Sequence, residues 1–374
     1  MIRTAFILSV ITIFNTNFQN SVYKSNSPIS ENSDIDGPYF FYRNDSLIAN
    51  YISEINGIKS VRSESWQQSF KGQIKFLVKT DIPGKSFEVQ LKQKLSNEKS
   101  EYGNVKSIFA VSDIEGNFGA FRKILEANKI IDENFNWTFG EGHLVLVGDF
   151  VDRGDMVMEV LWLIYSLEEK AKAAGGYVHF VLGNHEIMNM EGDTSYVQEK
   201  YIHHAGLMNK SYMDLFSEHT EIGRWLSTKN IVERIGKVMF THGGFSSYMN
   251  KLAMSLKGMN ELARPFFRDT TFDFKDDRVA LLFSDYGPFW YRGYYMSPRA
   301  KIDQVDSTLD NWNCKQIVTG HTIIANEIRS LFNGKLYDTD VHHSEGFSEA
   351  LLIENGNFWR VNAKGEKNTI APIR

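Results

Sequence analysis

Short apolar runs rich in β-branched residues recur from residue 105 onward and are separated by helical patterns. The runs cover residues 108–111, 144–147, 178–182, 238–240 and 316–318. Amphipathic periodicity between the first three runs predicts helices over residues 118–128 and 157–174. A βαβαβ series of this kind is typical of a parallel sheet with right-handed crossovers. We therefore predict an α/β fold over residues 105–362.

The rest of the chain has a different pattern. Residues 39–100 contain short, strand-like segments punctuated by glycine and proline, and we assign them to a small β-rich N-terminal module without a predicted role. Residues 193–235 and 246–300 are predicted to be helical and aromatic-rich insertions. Residues 335–361 return to strands, and residues 363–374 are predicted to form a tail.

The N-terminus has a basic start followed by an apolar run over residues 5–14. A run of about ten residues is too short to span a bilayer and fits the central part of a secretory signal peptide. We predict a signal peptide over residues 1–20, a Ser- and Asn-rich linker over residues 21–38, and export to the periplasm without a stable transmembrane anchor. The alternative is a buried N-terminal strand, in which case the uncleaved protein stays in the cytoplasm.

Composition and charge exclude some classes of partner. The chain has 374 residues, of which 42% are hydrophobic and 23% are charged, as is ordinary for a globular protein. Its formal net charge of −5 and the lack of a basic stripe argue against a nucleic-acid partner. An anionic substrate must therefore be attracted by local positive charge.

Potential metal ligands follow each of the five apolar runs. They are Asp113, Glu115, Asp149, Asn184, His242 and His321. Loops that leave the carboxyl ends of parallel strands meet at one edge of an open α/β sheet, where such folds bind ligands. This set predicts two metal ions, with Asp149 as the carboxylate that both share. Asp113 and Glu115 complete the ligands of the first ion, and the amide and the two imidazoles complete those of the second.

The ligand types constrain the metals and the reaction. The oxygen-rich first site suits Mn²⁺, Mg²⁺ or iron, whereas the second site also accepts Zn²⁺. We expect Mn²⁺ or iron, with Zn²⁺ as the alternative at the second site. A pair of such ions lowers the pKa of a bridging water, so that a hydroxide attacks phosphorus in line near neutral pH.

Four more polar residues are candidates for substrate chemistry. His185 is the candidate proton donor to the leaving group, and Asp152 is the candidate that orients its imidazole. Arg153 is able to grip two phosphoryl oxygens in a bidentate fork. Arg292, within an aromatic-rich stretch, is the candidate second arginine. Asn184, beside His185, is expected to contact substrate as well as metal.

The order and spacing of these motifs resemble the calcineurin-like metallophosphoesterases. The motifs are Asp113-Ile114-Glu115, Gly148-Asp149-Phe150-Val151-Asp152-Arg153-Gly154, Gly183-Asn184-His185-Glu186, His242-Gly243-Gly244 and Gly320-His321. Within that superfamily the chain is most similar, over roughly residues 106–355, to phosphoprotein-phosphatase-type enzymes of the bacterial Shewanella-like branch. The resemblance implies a four-layer αββα sandwich and hydrolysis of phosphomonoesters. It carries metal-ligand roles onto Asp113, Asp149, Asn184, His242 and His321, and catalytic or phosphate-binding roles onto Asp152, Arg153 and His185.

Glu115 departs from the family pattern, which has histidine at this position. Three carboxylates bring a charge of −3 to two divalent ions, whereas histidine in place of Glu115 leaves −2. A less positive centre activates water and holds phosphate less strongly. We therefore predict a harder ion in the first site or a more alkaline activity optimum. The alternative is that Glu115 binds no metal.

The preferred function is a binuclear metal-dependent phosphomonoesterase, acting on phosphorylated Ser, Thr or Tyr in proteins or on a small molecule. A phosphodiesterase or dinucleoside polyphosphate hydrolase is the alternative on the same metal core, and a phosphate-binding relative is the non-catalytic alternative.

Residues 289–295 are either core packing or an aromatic wall for a phosphotyrosine ring. A solvated pocket rim, rather than a third metal site, is expected for Asp338, Asp340, His342 and His343.

Overall fold

A small β-rich module opens the described part of the chain, residues 34–373 of the computed structural model. Its three-stranded meander and its hairpin consist of β1 (Asp34–Arg43), β2 (Ser46–Ile55), β3 (Ile58–Gln67), β4 (Lys75–Lys79) and β5 (Ser86–Gln90). Because Asp34 and Asp36 pair with β2, residues 34–38 belong to this sheet and not to the predicted linker. The predicted signal peptide and the rest of the linker lie outside the described residues, and export stays a prediction.

Two six-stranded sheets form the centre of the fold. In chain order their strands are β6 (Glu101–Tyr102), β7 (Ser107–Val111), β8 (His143–Leu146), β9 (Tyr177–Phe180), β10 (Val232–Ile235), β11 (Val238–Thr241), β12 (Gln316–Thr319), β13 (Arg329–Leu331), β14 (Leu336–Asp338), β15 (Glu349–Glu354), β16 (Asn357–Asn362) and β17 (Lys367–Asn368). The first sheet has the order β17-β16-β15-β7-β8-β9, and the second has the order β13-β14-β12-β11-β10-β6. β7, β8 and β9 are parallel, and so are β11, β12 and β14. The five strands predicted to carry candidate ligands are confirmed as β7, β8, β9, β11 and β12.

Helices connect and cover the sheets. They are α1 (Phe118–Ala127), α2 (Val157–Ala173), α3 (Asn184–Glu191), α4 (Glu199–Leu207), α5 (Glu221–Leu226), α6 (Leu256–Ala263), α7 (Asp277–Leu282) and α8 (Ile302–Asn311). α1 and α2 confirm the two helices predicted between the first three strands. Within residues 34–373, every helix is too short or too polar to cross a bilayer.

Two predicted segments differ from the structure at their ends. The insertion over residues 193–235 contains α4 and α5 but closes with β10, which pairs with β11 in the second sheet. The predicted tail contains β17, which pairs with β16, and Ile373 N–H donates to the Ser330 carbonyl at 2.9 Å. Both segments supply backbone hydrogen bonds to a sheet, so they belong to its edge or interior.

The four layers follow from burial of both faces of each sheet. Along β7, Phe109 and Val111 join the hydrophobic cluster that contains α1 and α2, whereas Ile108 and Ala110 join the cluster between the two sheets. Ile317 of β12 faces the other way and packs in the cluster that includes α8. A strand that is buried on both faces is apolar throughout, which explains the uninterrupted runs in the sequence. The predicted αββα sandwich is confirmed.

The N-terminal module shares a hydrophobic core with the first sheet. The indole of Trp162 on α2 packs edge-on against Phe40 and Phe76 of the module, with ring centroids 5.8 and 4.9 Å apart. Its Nε1–H donates to the Pro38 carbonyl at 3.1 Å. α2 is therefore buried both by the sheet and by the module, and the module covers apolar surface that the helix would otherwise expose to water.

Candidate metal centre and active site

The loops after β7, β8, β9, β11 and β12 converge at one edge of the two sheets. Main-chain hydrogen bonds join neighbouring loops, from Asp113 N–H to the Gly148 carbonyl and from Gly320 N–H to the His242 carbonyl, each at 2.9 Å. His185 N–H, at the start of α3, donates to Asp149 Oδ1 at 2.9 Å. Side chains from distant parts of the sequence are thus held in one place by backbone contacts.

Asp149, His242 and His321 form a compact group of potential metal ligands. Each presents one ligand atom, and these atoms lie within 4.8 Å of one another. The three residues are 2%, 0% and 4% exposed, so water competes poorly for them. Asn184 joins the group, because its Oδ1 lies 3.0 Å from His242 Nε2. The structure therefore brings four of the six predicted ligands into direct proximity.

The hydrogen bonds of His242 determine which of its nitrogens faces the centre. Nδ1 donates to the Val147 carbonyl at 2.7 Å, and Nε2 lies 3.0 Å from Asp149 Oδ2. Metal-bound histidines commonly anchor their second nitrogen in this way. Burial alone would lower the pKa of His242, but the carboxylates of Asp149 and Asp113 raise it to about 9. The negative charge that holds a proton on Nε2 would equally hold a metal ion.

Glycines make room for the ligands. A Cβ on Gly183 would lie 2.1 Å from Asp149 Oδ1, and one on Gly148 would lie 2.4 Å from His242 Nδ1. Since real Cβ atoms do not approach other heavy atoms so closely, only glycine allows the backbone to pass behind these side chains. The donor set, its burial and this close packing all fit a metal centre.

Asp113 lies beside the compact group. Its carboxylate accepts a hydrogen bond from His321 N–H at 3.1 Å. Burial raises the pKa of Asp113 to about 6, although the neighbouring His242 opposes that rise. A bound cation would offset the cost of burying this charge. The position agrees with a ligand role, and that role stays a prediction.

Glu115 and Arg153 form an ion pair at the mouth of the site. The side chain of Glu115 is 21% exposed and that of Arg153 is 46% exposed, so both reach solvent. The guanidinium of Arg153 also lies over the ring of Tyr196, 4.9 Å from its centroid. Metal binding by Glu115 stays a prediction. A carboxylate has two oxygens, so the contact with Arg153 leaves one of them for another partner.

His185 is held by Asp152 as predicted from the sequence. His185 Nδ1 donates to Asp152 Oδ2 at 2.7 Å, and His185 Nε2 lies 3.8 Å from Asp149 Oδ2. Burial alone would lower the pKa of His185, but Asp149 and Asp152 together raise it. The edge of the Tyr196 ring packs on the imidazole, with centroids 5.0 Å apart. The imidazole is thus fixed in place, and its protonated form is favoured.

Arg292 reaches the same edge of the sheets from the aromatic-rich stretch. Its guanidinium donates to the His321 carbonyl and to Thr322 Oγ1, the latter at 3.1 Å. Tyr294 and Tyr295 of this stretch are buried in the cluster that contains α8, so they are core packing and not a wall. Trp290, whose ring centroid lies 5.9 Å from that of His321, is the residue of the stretch that borders the site.

Several site residues have backbone angles that are rare for non-glycine residues. Positive φ values occur at Asp113, Glu115, Asp149, Asp152, Arg153 and His321. Such conformations persist only where surrounding contacts enforce them, and they cluster at functional sites. The sequence gives no direct signal for them. At this edge of the sheets, the surrounding contacts hold the backbone in unusual conformations that position the candidate ligands.

Glu186, the last residue of the Gly183-Asn184-His185-Glu186 motif, has a structural role that the motif alone does not predict. Its buried carboxylate accepts hydrogen bonds from the N–H groups of Asp149 (2.9 Å), Phe150 (2.7 Å) and Gly183 (2.7 Å). A glutamate three residues after a helix N-cap supplies one half of a capping box, because its carboxylate accepts from the N-cap N–H, as Glu186 does from Gly183. Gly183 has no side chain to supply the other half. The same carboxylate therefore caps α3 and fixes the loop that carries Asp149.

We expect Glu186→Gln to lower the free energy of unfolding by about 1–3 kcal/mol, because the amide leaves at least one buried N–H without an acceptor. Urea denaturation of the two proteins measures this difference. Glu199→Gln, at the exposed start of α4, is the matched control and should change stability by less than about 0.5 kcal/mol. Equal stability of the two variants would contradict the structural role.

The acidic segment at the end of β14 is mostly buried, which corrects the predicted exposure of these residues to solvent. Asp338, Asp340 and His343 are 2%, 6% and 4% exposed, and only His342 is partly open to solvent. Asp340 lines the same cavity as Asp113. Burial is the main cause that raises the pKa of Asp340 well above its usual value, and repulsion from Asp113 adds to it. The predicted solvation was wrong because composition does not reveal that this loop packs against the site. The predicted location at the edge of the pocket agrees with Asp340, His342 and His343, which line the cavity.

Comparisons with known proteins agree with this geometry. Residues 106–325 match the family described as calcineurin-like phosphoesterase. In three dimensions the chain is similar to a cold-active protein-tyrosine phosphatase of a psychrophile, Shewanella sp., with 34% identity, a TM-score of 0.80, and coverage of 90% of this chain and 99% of that chain. This coverage exceeds residues 106–374, so the likeness extends into the N-terminal module.

Two curated relatives show the same likeness in sequence. Shewanella-like protein phosphatase 1 of Plasmodium berghei is 27% identical over 249 residues, which are 64% of this chain and 68% of the relative. Shewanella-like protein phosphatase 2 of Arabidopsis thaliana is 25% identical over 293 residues, covering 65% of this chain and 73% of the relative. All six candidate ligands lie within residues 106–325, the part of the chain that matches the family model.

Proposed function

Because the chain belongs to the calcineurin-like phosphoesterase family and is a hydrolase of phosphoester bonds, we propose that it is a metal-dependent phosphatase that removes phosphate from protein side chains. One observation carries the proposal. The compact group of Asp149, His242 and His321 lies directly beside His185, whose imidazole is anchored by Asp152. A cation site next to a positioned proton donor is what hydrolysis of a phosphomonoester requires.

We propose two ions. Asp113, Glu115 and Asp149 would hold the first, and Asn184, His242 and His321 would complete the second. When bound, such ions supply Lewis-acid activation of water and positive charge for the phosphoryl oxygens. The oxygen-rich ligands of the first ion favour Mn²⁺ or iron, and the imidazoles of the second also accept Zn²⁺.

The protein's own groups would carry the rest of the reaction. His185 would give its proton to the departing oxygen, which is supported by its raised pKa and by its Nε2, which faces the centre. Asp152 holds the ring in the orientation that leaves Nε2 free for this transfer. Arg153 and Arg292 would hold phosphoryl oxygens, which is supported by the position of Arg153 at the mouth and by the contact of Arg292 with the His321 carbonyl.

The proposal is tested by the substrates that the Mn²⁺-supplemented protein hydrolyses. We expect turnover of 4-nitrophenyl phosphate and of phosphopeptides, with much slower turnover of bis(4-nitrophenyl) phosphate. Phosphotyrosine and phosphoserine versions of one peptide establish which side chain is preferred. Faster hydrolysis of the diester or of dinucleoside polyphosphates would favour the alternative enzyme. Lack of turnover of every substrate would instead indicate a phosphate-binding relative.

Arg153→Ala should raise both the Michaelis constant for 4-nitrophenyl phosphate and the inhibition constant for phosphate, each by roughly tenfold or more. The reason is that a bidentate guanidinium makes two charge-assisted hydrogen bonds to one phosphoryl group. Steady-state kinetics with phosphate as inhibitor measures both constants. Arg153→Lys keeps the charge but not the fork, so it should lie between wild type and Arg153→Ala. If both constants are unchanged in Arg153→Ala, the assignment to phosphate binding is wrong.

Glu115→His should shift the activity optimum toward lower pH and tighten inhibition by phosphate, because the variant centre is more positive by one unit. Metal analysis of the purified proteins, together with their pH profiles, measures the change. Glu115→Gln also breaks the ion pair with Arg153 but supplies no imidazole. It therefore separates the effect of losing the ion pair from the effect of adding an imidazole. Zinc in both sites, with the same optimum in wild type and Glu115→His, would count against the predicted harder ion.

A further inference from the structure

A second polar cavity, of about 770 Å³, lies between the N-terminal module and the segment that contains α5 and α6. Tyr42 and Lys71 line it from the module, and Arg224, Arg264 and Arg268 line it from the opposite side. We call it the arginine cavity. Among the described residues that line it, none is a candidate metal ligand or a neighbour of His185. The cavity is therefore separate from the proposed active site.

The three arginines have no carboxylate partner among residues 34–373. Arg268 donates to the carbonyls of Phe216 and Gly223, at 3.0 and 2.6 Å. Arg264 donates to the side-chain amide oxygen of Asn230 and to main-chain carbonyls, which are those of Ser227, Thr228, Lys229 and Asn260. Arg224 donates to the Glu218 carbonyl at 2.6 Å and lies over the Tyr42 ring, 3.6 Å from its centroid. Carbonyl oxygens fix the orientation of these guanidinium groups but do not neutralise their charge.

Other charged groups at the cavity do not balance the arginines. Lys71 is 6% exposed and is paired with Glu221 at 2.7 Å, so that pair adds no net charge. The carboxylate of Glu218 lines the cavity and lies 3.8 Å from the imidazole of His219. Glu98 and Glu261 also act on Arg264, but each is paired with a lysine, Lys229 and Lys257 respectively. Three fixed guanidinium charges thus face one carboxylate, Glu218, that has no lysine or arginine partner within 4 Å in the described part of the chain. Burial lowers the pKa values of Arg264 and Arg268, which indicates the cost of holding these cations away from water.

We propose that the arginine cavity binds a small polyanion that carries two or more phosphoryl groups. Guanidinium groups recognise phosphoryl oxygens through paired N–H donors, and several fixed guanidinium groups around one concavity match several linked phosphoryl groups. A volume of 770 Å³ is within the range of small-molecule sites and exceeds what orthophosphate fills. Because the cavity is lined from both sides, the bound anion ties the N-terminal module to the α5–α6 segment and stabilises the fold.

The test is isothermal titration calorimetry with methylenediphosphonate, which is not hydrolysed, and with methylphosphonate as the single-group probe. Titrations into the full-length wild type and into Asp149→Asn separate the two sites, because the arginine cavity does not involve Asp149. We expect saturable binding in both proteins and affinity for the diphosphonate at least about tenfold higher than for the monophosphonate. The diphosphonate should also raise the melting temperature of both proteins.

Arg224→Met and Arg268→Met should each weaken diphosphonate binding to Asp149→Asn by about tenfold or more. Arg278→Met is the matched control, since Arg278 is exposed, paired with Asp276 and outside the cavity, and it should leave binding unchanged. If Arg268→Met fails to fold, the exposed Arg224 carries the test. The proposal is overturned by lack of binding to Asp149→Asn, by equal affinity for the two phosphonates, or by equal weakening in Arg278→Met. Tighter binding of hexaglutamate would overturn it in favour of an acidic peptide.

Discussion

Asp149→Asn should abolish metal binding and lower turnover by about 10³-fold or more, while the protein stays folded. The carboxylate of Asp149 is central to the site: its Oδ1 accepts from His185 N–H at 2.9 Å, and its Oδ2 lies 3.0 Å from His242 Nε2. Although burial alone would raise the pKa of Asp149, His242 and His185 hold it below its usual value, so the group is ionised. The substitution removes the negative charge of this side chain and preserves its size and shape.

The amide of the variant also blocks a second ligand. Its oxygen must replace Oδ1, because only an acceptor satisfies His185 N–H. Its nitrogen then faces His242 Nε2 and donates to it, since His242 Nδ1 already donates to the Val147 carbonyl. That hydrogen bond occupies the lone pair with which the imidazole would bind a metal. The substitution therefore removes one ligand and masks another. Asn184 Oδ1, which lies 3.0 Å from His242 Nε2, then loses that donor, because the nitrogen accepts from the amide.

Metal analysis of purified wild type and Asp149→Asn, combined with turnover of 4-nitrophenyl phosphate, measures both effects. Circular dichroism and the urea midpoint establish that the variant is folded. Asp310→Asn, on the exposed end of α8, is the charge-matched control and should retain metal and activity. A folded Asp149→Asn protein that still binds two metal equivalents would exclude Asp149 as the shared ligand.

Much of the central fold could be predicted because burial on both faces leaves a simple pattern. Phe109 and Val111 pack toward helices while Ile108 and Ala110 pack toward the other sheet, so β7 is apolar at every position. The ligands after such strands could be predicted too, because parallel strands deliver their carboxyl ends to one edge. The observed convergence of Asp149 with His242 and His321 follows from these two features of the chain.

The parts that could not be predicted depend on contacts between distant loops. The pairing of Glu115 with Arg153 requires that the loops after β7 and β8 lie side by side, and spacing alone does not reveal it. Tyr196 contacts both Arg153 and His185 from a loop without any distinctive motif. The bounds of β2 could not be predicted because its residues mix polar and apolar side chains, and its pairing with β1 and β3 determines its structure.

The unusually apolar sequence of α2 is explained by the contact of this helix with the N-terminal module. The first three turns of α2, including Trp162, are apolar on nearly every side, which is unusual for a helix that covers only one face of a sheet. The outer side of the helix is buried by Phe40 and Phe76 of the module. An all-round apolar helix therefore indicates a second covering layer. We infer that removal of the module would expose α2 and destabilise the region that carries Asp149.

His185→Asn should retain metal but lower turnover of phenyl phosphate by about 10²–10⁴-fold, as expected for loss of a general acid. The main-chain N–H of residue 185, which supports Asp149, is unchanged by the substitution. Asparagine is too short and too weakly acidic to replace the imidazole that faces the centre. The loss should be much smaller for 4-nitrophenyl phosphate, because its phenolate departs without a proton.

The ratio of the two rates separates proton donation from a merely structural effect. A structural defect lowers both rates alike, whereas loss of the acid lowers the rate for the poorer leaving group selectively. Asp152→Asn is the companion variant, since Asp152 acts through His185 by holding its Nδ1–H at 2.7 Å. Because Asp152 helps to raise the pKa of His185, its loss should move the alkaline limb of the pH profile to lower pH while His185 still donates. Equal loss for both esters in His185→Asn, with metal content intact, would remove His185 as the acid and leave water to protonate the leaving group.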